Sequence, residues 1–154
     1  MTLDPLRLTY RIECPPEHAF SVWTTRLSAW WPRSHTTSGD PDATVVLEPH
    51  VGGRIFERAT DGREIDWGEI TAWEPPTRFG YRWHLRQDRE DATRVEITFA
   101  PAGEGTAVTI VHSDWQRLGQ RERNEQGWGG LLPHYVAACT AGPHGGADLR
   151  PAGR

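Results

Sequence analysis

Thr77-Arg78-Phe79-Gly80-Tyr81-Arg82-Trp83-His84-Leu85-Arg86 alternates large apolar and polar side chains: Phe79, Tyr81, Trp83 and Leu85 fall on one face, and Arg78, Arg82, His84 and Arg86 on the other. A period of two is the mark of a half-buried strand, because successive side chains point to opposite faces of a sheet. The neighbours on either side extend the pattern. Pro75-Pro76 ends a preceding strand over Glu64 to Trp73, and Asp61-Gly62 is a strong hairpin dipeptide joining that strand to Arg54–Ala59. Gly52-Gly53 and Pro49 separate these from Thr44–Glu48. Downstream, Arg94–Ala100 carries Val95, Ile97 and Phe99 in one register, and Gly103-Glu104-Gly105 turns it into Thr106–Ser113 with Val108, Ile110 and His112 in another. Short turns between successive strands predict an antiparallel meander rather than crossover units.

The two ends of the chain complete the domain. Leu8, Tyr10 and Ile12 alternate within Arg7–Glu13, a first strand that stops at Cys14-Pro15-Pro16. Pro16 or Glu17 opens a short helix whose stripe is Ala19, Phe20, Val22 and Trp23, since proline is tolerated in a first turn. Thr24 or Thr25 is positioned to cap a second short helix through Leu27, Ala29 and Trp30, which Trp31-Pro32 ends; a polar loop follows from Ser34 to Asp42. Leu118 to Thr140 reads as one long helix with Trp128, Leu132, Tyr135 and Cys139 at helical spacing. Gly127, Gly129 and Gly130 weaken it by about 1 kcal/mol each, and Pro133 by about 3 kcal/mol, which predicts a kink or break near Leu132. The expectation is a single α+β domain over residues 1–141, a curved antiparallel sheet closed by the C-terminal helix, with a disordered Gly/Pro/Ala-rich tail at 142–154.

Composition narrows the function classes. A chain of 154 residues buries a core without staples. Its longest apolar runs, Ala43 to Leu47 and Ala107 to Val111, fall far short of the roughly 20 residues a membrane helix needs, so no integral membrane association is expected. Met1 to Tyr10 has neither a basic start nor an apolar signal core, and a cytoplasmic location is expected. Seventeen arginines and 21 acidic residues lie scattered, giving a net charge of -4 without a basic stripe, which disfavours nucleic acid as a partner. Two cysteines, Cys14 and Cys139, do not make a disulfide framework and read as ordinary thiols.

Eight tryptophans exceed what such a domain needs, and side chains of this size either fill a core or line something concave. Phe79, Tyr81 and Trp83, with Phe99 and Trp128, converge on a cavity if the alternation holds, although core packing competes for each single ring. His112 follows Val108 and Ile110 in register and points inward; it is the foremost polar candidate, with a hydrogen-bonded structural role as the competing reading. Asp66 and Gly68 fall on one strand face and Trp67 with Glu69 on the other, so the two carboxylates do not share a site. The seven histidines sit on different elements without metal-ligand spacing, and no metal or cofactor is expected. Gly127-Trp128-Gly129-Gly130 follows no strand and is no phosphate loop; its glycines suit a close approach of helix to sheet, or the bend at Pro133.

In this order of elements the sequence resembles the helix-grip superfamily of START-like (SRPBCC) proteins, and within it the small bacterial homologues of the C-terminal domain of the heat-shock-protein-90 ATPase activator. The residues that carry the likeness are Pro15-Pro16-Glu17-His18-Ala19-Phe20, Trp30-Trp31-Pro32, Gly52-Gly53, Gly68-Glu69-Ile70, Trp73-Glu74-Pro75-Pro76-Thr77-Arg78-Phe79, Tyr81-Arg82-Trp83, Gly105-Thr106, His112-Ser113 and Gly127-Trp128. The chain departs from the pattern at Asp114-Trp115, where many relatives have a glycine, and at Pro133. The resemblance implies a cavity between the sheet and the long helix able to hold a small apolar ligand; together with the periodicity above, the expectation is binding of a small apolar or aromatic molecule with Tyr81, Trp83, Phe99, His112, Trp128 and Tyr135 as contacts. It leaves open a homodimer and two alternatives, a cyclase- or hydrolase-like enzyme using the same cavity and a chaperone-associated interaction module.

Overall fold

The structure, a computed structural model, describes residues 4–85, 89–117 and 119–140. The expectations for Arg86, Leu118 and the 142–154 tail lie outside the described residues. Seven strands, β1 (Leu6–Ile12), β2 (Thr44–Leu47), β3 (Arg54–Arg58), β4 (Glu64–Glu74), β5 (Arg78–Trp83), β6 (Thr93–Ala102) and β7 (Gly105–Ser113), form one antiparallel sheet in the order β1-β7-β6-β5-β4-β3-β2. Helix α1 (Pro16–Trp23) follows β1, and helix α2 (Gln120–Thr140) ends the described chain. Both helices lie against the sheet, α1 on β6 and β7 and α2 on α1 and β1. This is the helix-grip arrangement, a curved sheet around a long C-terminal helix. Among the described residues no helix is long and apolar enough to cross a membrane.

Register explains where the core sits. Phe79, Ile97 and Ile110 pair across β5, β6 and β7, and Phe99 pairs with Val108; all are buried on the face that the helices cover. The next row, Tyr81, Val95, His112 and Leu6, crosses four strands and leads toward the open end of the sheet. Phe20 of α1 closes the middle of this face, meeting Phe79 and Phe99 edge-on at 5.7 and 5.2 Å between ring centroids.

Four local expectations are corrected. Trp67 is buried whereas Glu69 is exposed, because the β3–β4 register shifts between Ile55 and Phe56 and leaves Trp67 as the extra residue of a bulge, which reverses the alternation there. His84 is buried rather than outward: β5 ends at Trp83, and the His84 N–H donates to the Trp67 carbonyl at 2.8 Å as the chain leaves the strand. The second helix is a single 3-10 turn, Leu27–Ala29, and Thr24 does not cap it; the Thr24 hydroxyl donates back to the Phe20 carbonyl at 2.8 Å, closing α1 instead. Nor does Pro133 break α2, which runs unbroken from Gln120 to Thr140. Pro133 and Gly129, whose carbonyl loses its donor, both face solvent, where water can hydrogen-bond the freed carbonyl.

Asp114 holds φ at 63°, the left-handed region that glycine occupies most easily and that Asp is among the few other residues to tolerate. The departure after His112-Ser113 therefore keeps the backbone turn and adds Trp115, whose ring lies 4.5 Å from that of His112.

Candidate functional site

A cavity of about 460 Å³ opens between β5, β7, the N-terminal half of α2 and a 3-10 turn at Arg33–His35. Its apolar wall is Trp31, Trp83, Leu85, Trp128 and Leu131, with Tyr81 among them and His112 alongside; Ser34, His35, Arg123, Asn124 and Gly127 supply the polar part. From α2 the contributors are Arg123, Asn124, Gly127, Trp128 and Leu131, of which the last four are the i, i+3, i+4, i+7 set that shares one helix face.

The six residues expected to meet a ligand divide. Tyr81, Trp83, His112 and Trp128 line the cavity together. Phe99 and Tyr135 lie outside its lining, in the packed core: Phe99 stacks on Phe79 with ring centroids 6.2 Å apart, and the Tyr135 hydroxyl donates to the Ala19 carbonyl at 2.8 Å, tying α2 to α1. Their distance from the cavity follows from the closure of the face by Phe20 and Trp23, the latter 4.5 Å from the Tyr135 ring.

His112 is fully committed. The Trp128 indole N–H donates to His112 Nδ1 at 3.0 Å, so that nitrogen carries no proton. The proton of the neutral ring then sits on Nε2, which donates to Thr93 Oγ1 at 2.6 Å, and the Thr93 hydroxyl donates to the Trp83 carbonyl at 3.3 Å. Every donor in this relay meets an acceptor. Burial lowers the His112 pKa to about 3, so the ring is neutral through the physiological range. The structural reading of His112 is thus the one that its partners support, and its role at the cavity is to fix Trp128 and the β5 end that carries Trp83.

Tyr81 behaves differently. It is 5% exposed and lines the cavity, and among the described residues its hydroxyl has no hydrogen-bond partner; burial raises its pKa, so it remains a protonated donor.

At the other side His35 is held between elements. Its Nε2 lies 3.2 Å from the Gly127 carbonyl, an acceptor, so Nε2 donates; Nδ1 is 3.1 Å from the Ser34 hydroxyl, and the His35 carbonyl accepts from the Trp31 indole at 3.1 Å. Gly130 permits this docking, since a Cβ there would stand 3.3 Å from His35 Cε1, whereas Gly129 has open space around it. The close approach expected of these glycines is thus made by Gly130, to the 3-10 turn rather than to the sheet. Ser34 and His35 lie in the stretch whose composition predicts only a polar loop, and Trp31 in the Trp31-Pro32 step that predicts a helix end; the adjacent Trp30-Trp31 is the signal in the sequence, with Trp30 buried and Trp31 at the cavity.

With this geometry, the match of a family model described as Activator of Hsp90 ATPase homolog 1-like protein to residues 13–138 places the sequence. The chain belongs to that family. No curated protein matches it. Among solved structures, the chain is similar to protein MLL2253 from Mesorhizobium loti, at 22% identity over 86% of this chain and 94% of that one with a TM-score of 0.65. It is similar to the Aha1 dimer from Colwellia psychrerythraea, at 19% identity over 90% and 96% of the two chains with a TM-score of 0.63. It also resembles the anthrahydroquino-γ-pyrone synthase Txn09, at 32% identity over 91% of this chain and 90% of that one with a TM-score of 0.56.

Asp66 and Glu69, weighed as inward carboxylates, are not at the cavity: Asp66 pairs with Arg54 at 3.2 Å and Glu69 is exposed. Among the described residues no group of His, Cys, Asp and Glu is arranged to hold a metal ion.

Proposed function

We propose that this protein binds a flat aromatic molecule in the cavity between β5, β7 and α2, with Trp31, Trp83 and Trp128 as its walls. The observation that carries the reading is the combination of about 460 Å³ of space with an indole-rich wall whose polar member His112 is already satisfied. Such a wall gains free energy by burying ligand surface: at about 25 cal/mol per Å², roughly 300 Å² of buried apolar surface supplies about 7 kcal/mol before the cost of association. Volume and lining both fall within the range of small-molecule sites. Among the described residues Val51 is the exposed large hydrophobic side chain, so the surface offers no apolar patch of the kind a chaperone-docking module would present.

The test is Trp83→Ala with the fold checked by circular dichroism. Binding of an anthraquinone-sized probe, followed by tryptophan quenching, should weaken at least tenfold; unchanged affinity would sink the assignment. Native mass spectrometry of the purified protein reads both a co-purifying molecule and the dimeric state known for the Colwellia relative.

A second reading, ring-forming catalysis in the same cavity, is favoured by the 32% identity to a synthase. His112 does not suit a general base, because both nitrogens are engaged and burial, by lowering its pKa to about 3, makes the ring too weak a base to take up a proton. Catalysis here would rest on holding a flexible substrate folded against the indoles, with the Tyr81 hydroxyl as the available proton donor. Recovery of an added ligand unchanged or converted separates the two readings.

A further inference from the structure

The polar part of the cavity carries charge of one sign. Among the described residues that line it there is no Asp or Glu, whereas Arg123 reaches it from the first turn of α2. Neighbouring arginines are paired, Arg121 with Glu125 at 3.8 Å and Arg117 with Asp91. Arg123 has no carboxylate partner among the described residues. A cation is also poorly placed for the helix itself, because the N-terminal end of a helix carries a partial positive charge. Arg123 is thus an exposed cation at the cavity mouth whose guanidinium is open to an entering anion. Further inside, Tyr81 presents a hydroxyl donor that has no acceptor among the described residues.

Building on the aromatic-binding reading above, we propose that the cavity selects aromatic acids. Arg123 pairs with a carboxylate at the mouth, and Tyr81 donates a hydrogen bond to an oxygen carried on the ring system. The guanidinium matches a carboxylate with two parallel N–H donors, which gives orientation as well as attraction. The indoles supply most of the affinity, and the two polar contacts decide which flat molecule enters and which way round.

The experiment uses two probes of matched shape, anthraquinone-2-carboxylate and anthraquinone-2-carboxamide, titrated into the full chain and into Arg123→Gln, Arg123→Lys and Tyr81→Phe. The wild type should prefer the carboxylate by about tenfold, and that preference should shrink with added salt. Arg123→Gln should abolish the preference by weakening the carboxylate far more than the carboxamide, and Arg123→Lys should retain part of it. Tyr81→Phe should weaken both probes several-fold. Equal binding of the two probes by wild type and Arg123→Gln would overturn the selection of acids while leaving the aromatic site standing. If neither probe binds, both proposals fall.

Discussion

Acid should unfold this protein through His112 in a way that a single substitution can isolate. The folded ring has a pKa of about 3 because it is buried, against the ordinary 6.5 that applies once the chain unfolds. Between those values the unfolded chain binds a proton that the folded chain refuses, so stability rises with pH across the window and is lost as acid is added. From about pH 7.5 to about pH 5 the loss attributable to this ring is about 2 kcal/mol, and it approaches roughly 5 kcal/mol only below the folded pKa. His112→Gln can still accept from Trp128 and donate to Thr93 but does not titrate. Urea unfolding of both proteins at the two pH values measures the difference, since all other titrating groups are common to them. The wild type should lose about 2 kcal/mol more than the variant over this range. Equal losses would show that burial does not hold His112 neutral in the folded protein and would refute the reasoning.

Two further predictions concern stability. Glu57 is fully buried and accepts hydrogen bonds from the Thr37 N–H and hydroxyl and from the Ser38 N–H; burial alone would raise its pKa, but these bonds outweigh it and hold it below the usual carboxylate range. Glu57→Ala strands those part-buried donors and should cost about 1–2 kcal/mol, read as a lowered urea midpoint. Glycine-to-alanine changes should split by site: Gly129→Ala meets nothing within 4 Å in a helix interior and should stabilise by about 0.5–1 kcal/mol, whereas at Gly68 a Cβ would stand 2.2 Å from the Arg82 carbonyl oxygen, and Gly68→Ala should lower the thermal midpoint by several degrees or more.

The sheet was legible because its strands alternate and its turns are marked by Gly and Pro; Val95, Ile97 and Phe99 against His112, Ile110 and Val108 could be paired from the pattern alone. What escaped was whatever a one-residue slip decides. The bulge at Trp67 sends that indole inward, and no composition signal distinguishes an extra residue in a strand from a paired one. The site was half legible for a related reason. Tyr81, Trp83 and His112 follow strand register, and Trp128 follows the helical stripe, so periodicity finds them. Ser34, His35, Arg123 and Asn124 are polar and reach the cavity through tertiary docking of a 3-10 turn on α2, which leaves no period in the chain. Phe99 and Tyr135 carry the right chemistry and the right register, but Phe20 and Trp23 from α1 occupy the space in front of them.

Helix α2 is in effect two tools on one handle. Its later turns, with Leu132, Tyr135 and Cys139, are bolted into the core through Ala19 and Cys14. Its earlier turns present Arg123, Asn124, Gly127, Trp128 and Leu131 to the cavity. A lineage, or an engineer, can therefore retune the appetite of the pocket by exchanging Arg123 and Asn124 while the foundation stays untouched. Trp128 marks the boundary: bonded to His112 and packed on Trp23, it belongs to both halves, and it is the residue whose exchange would be felt in foundation and appetite at once.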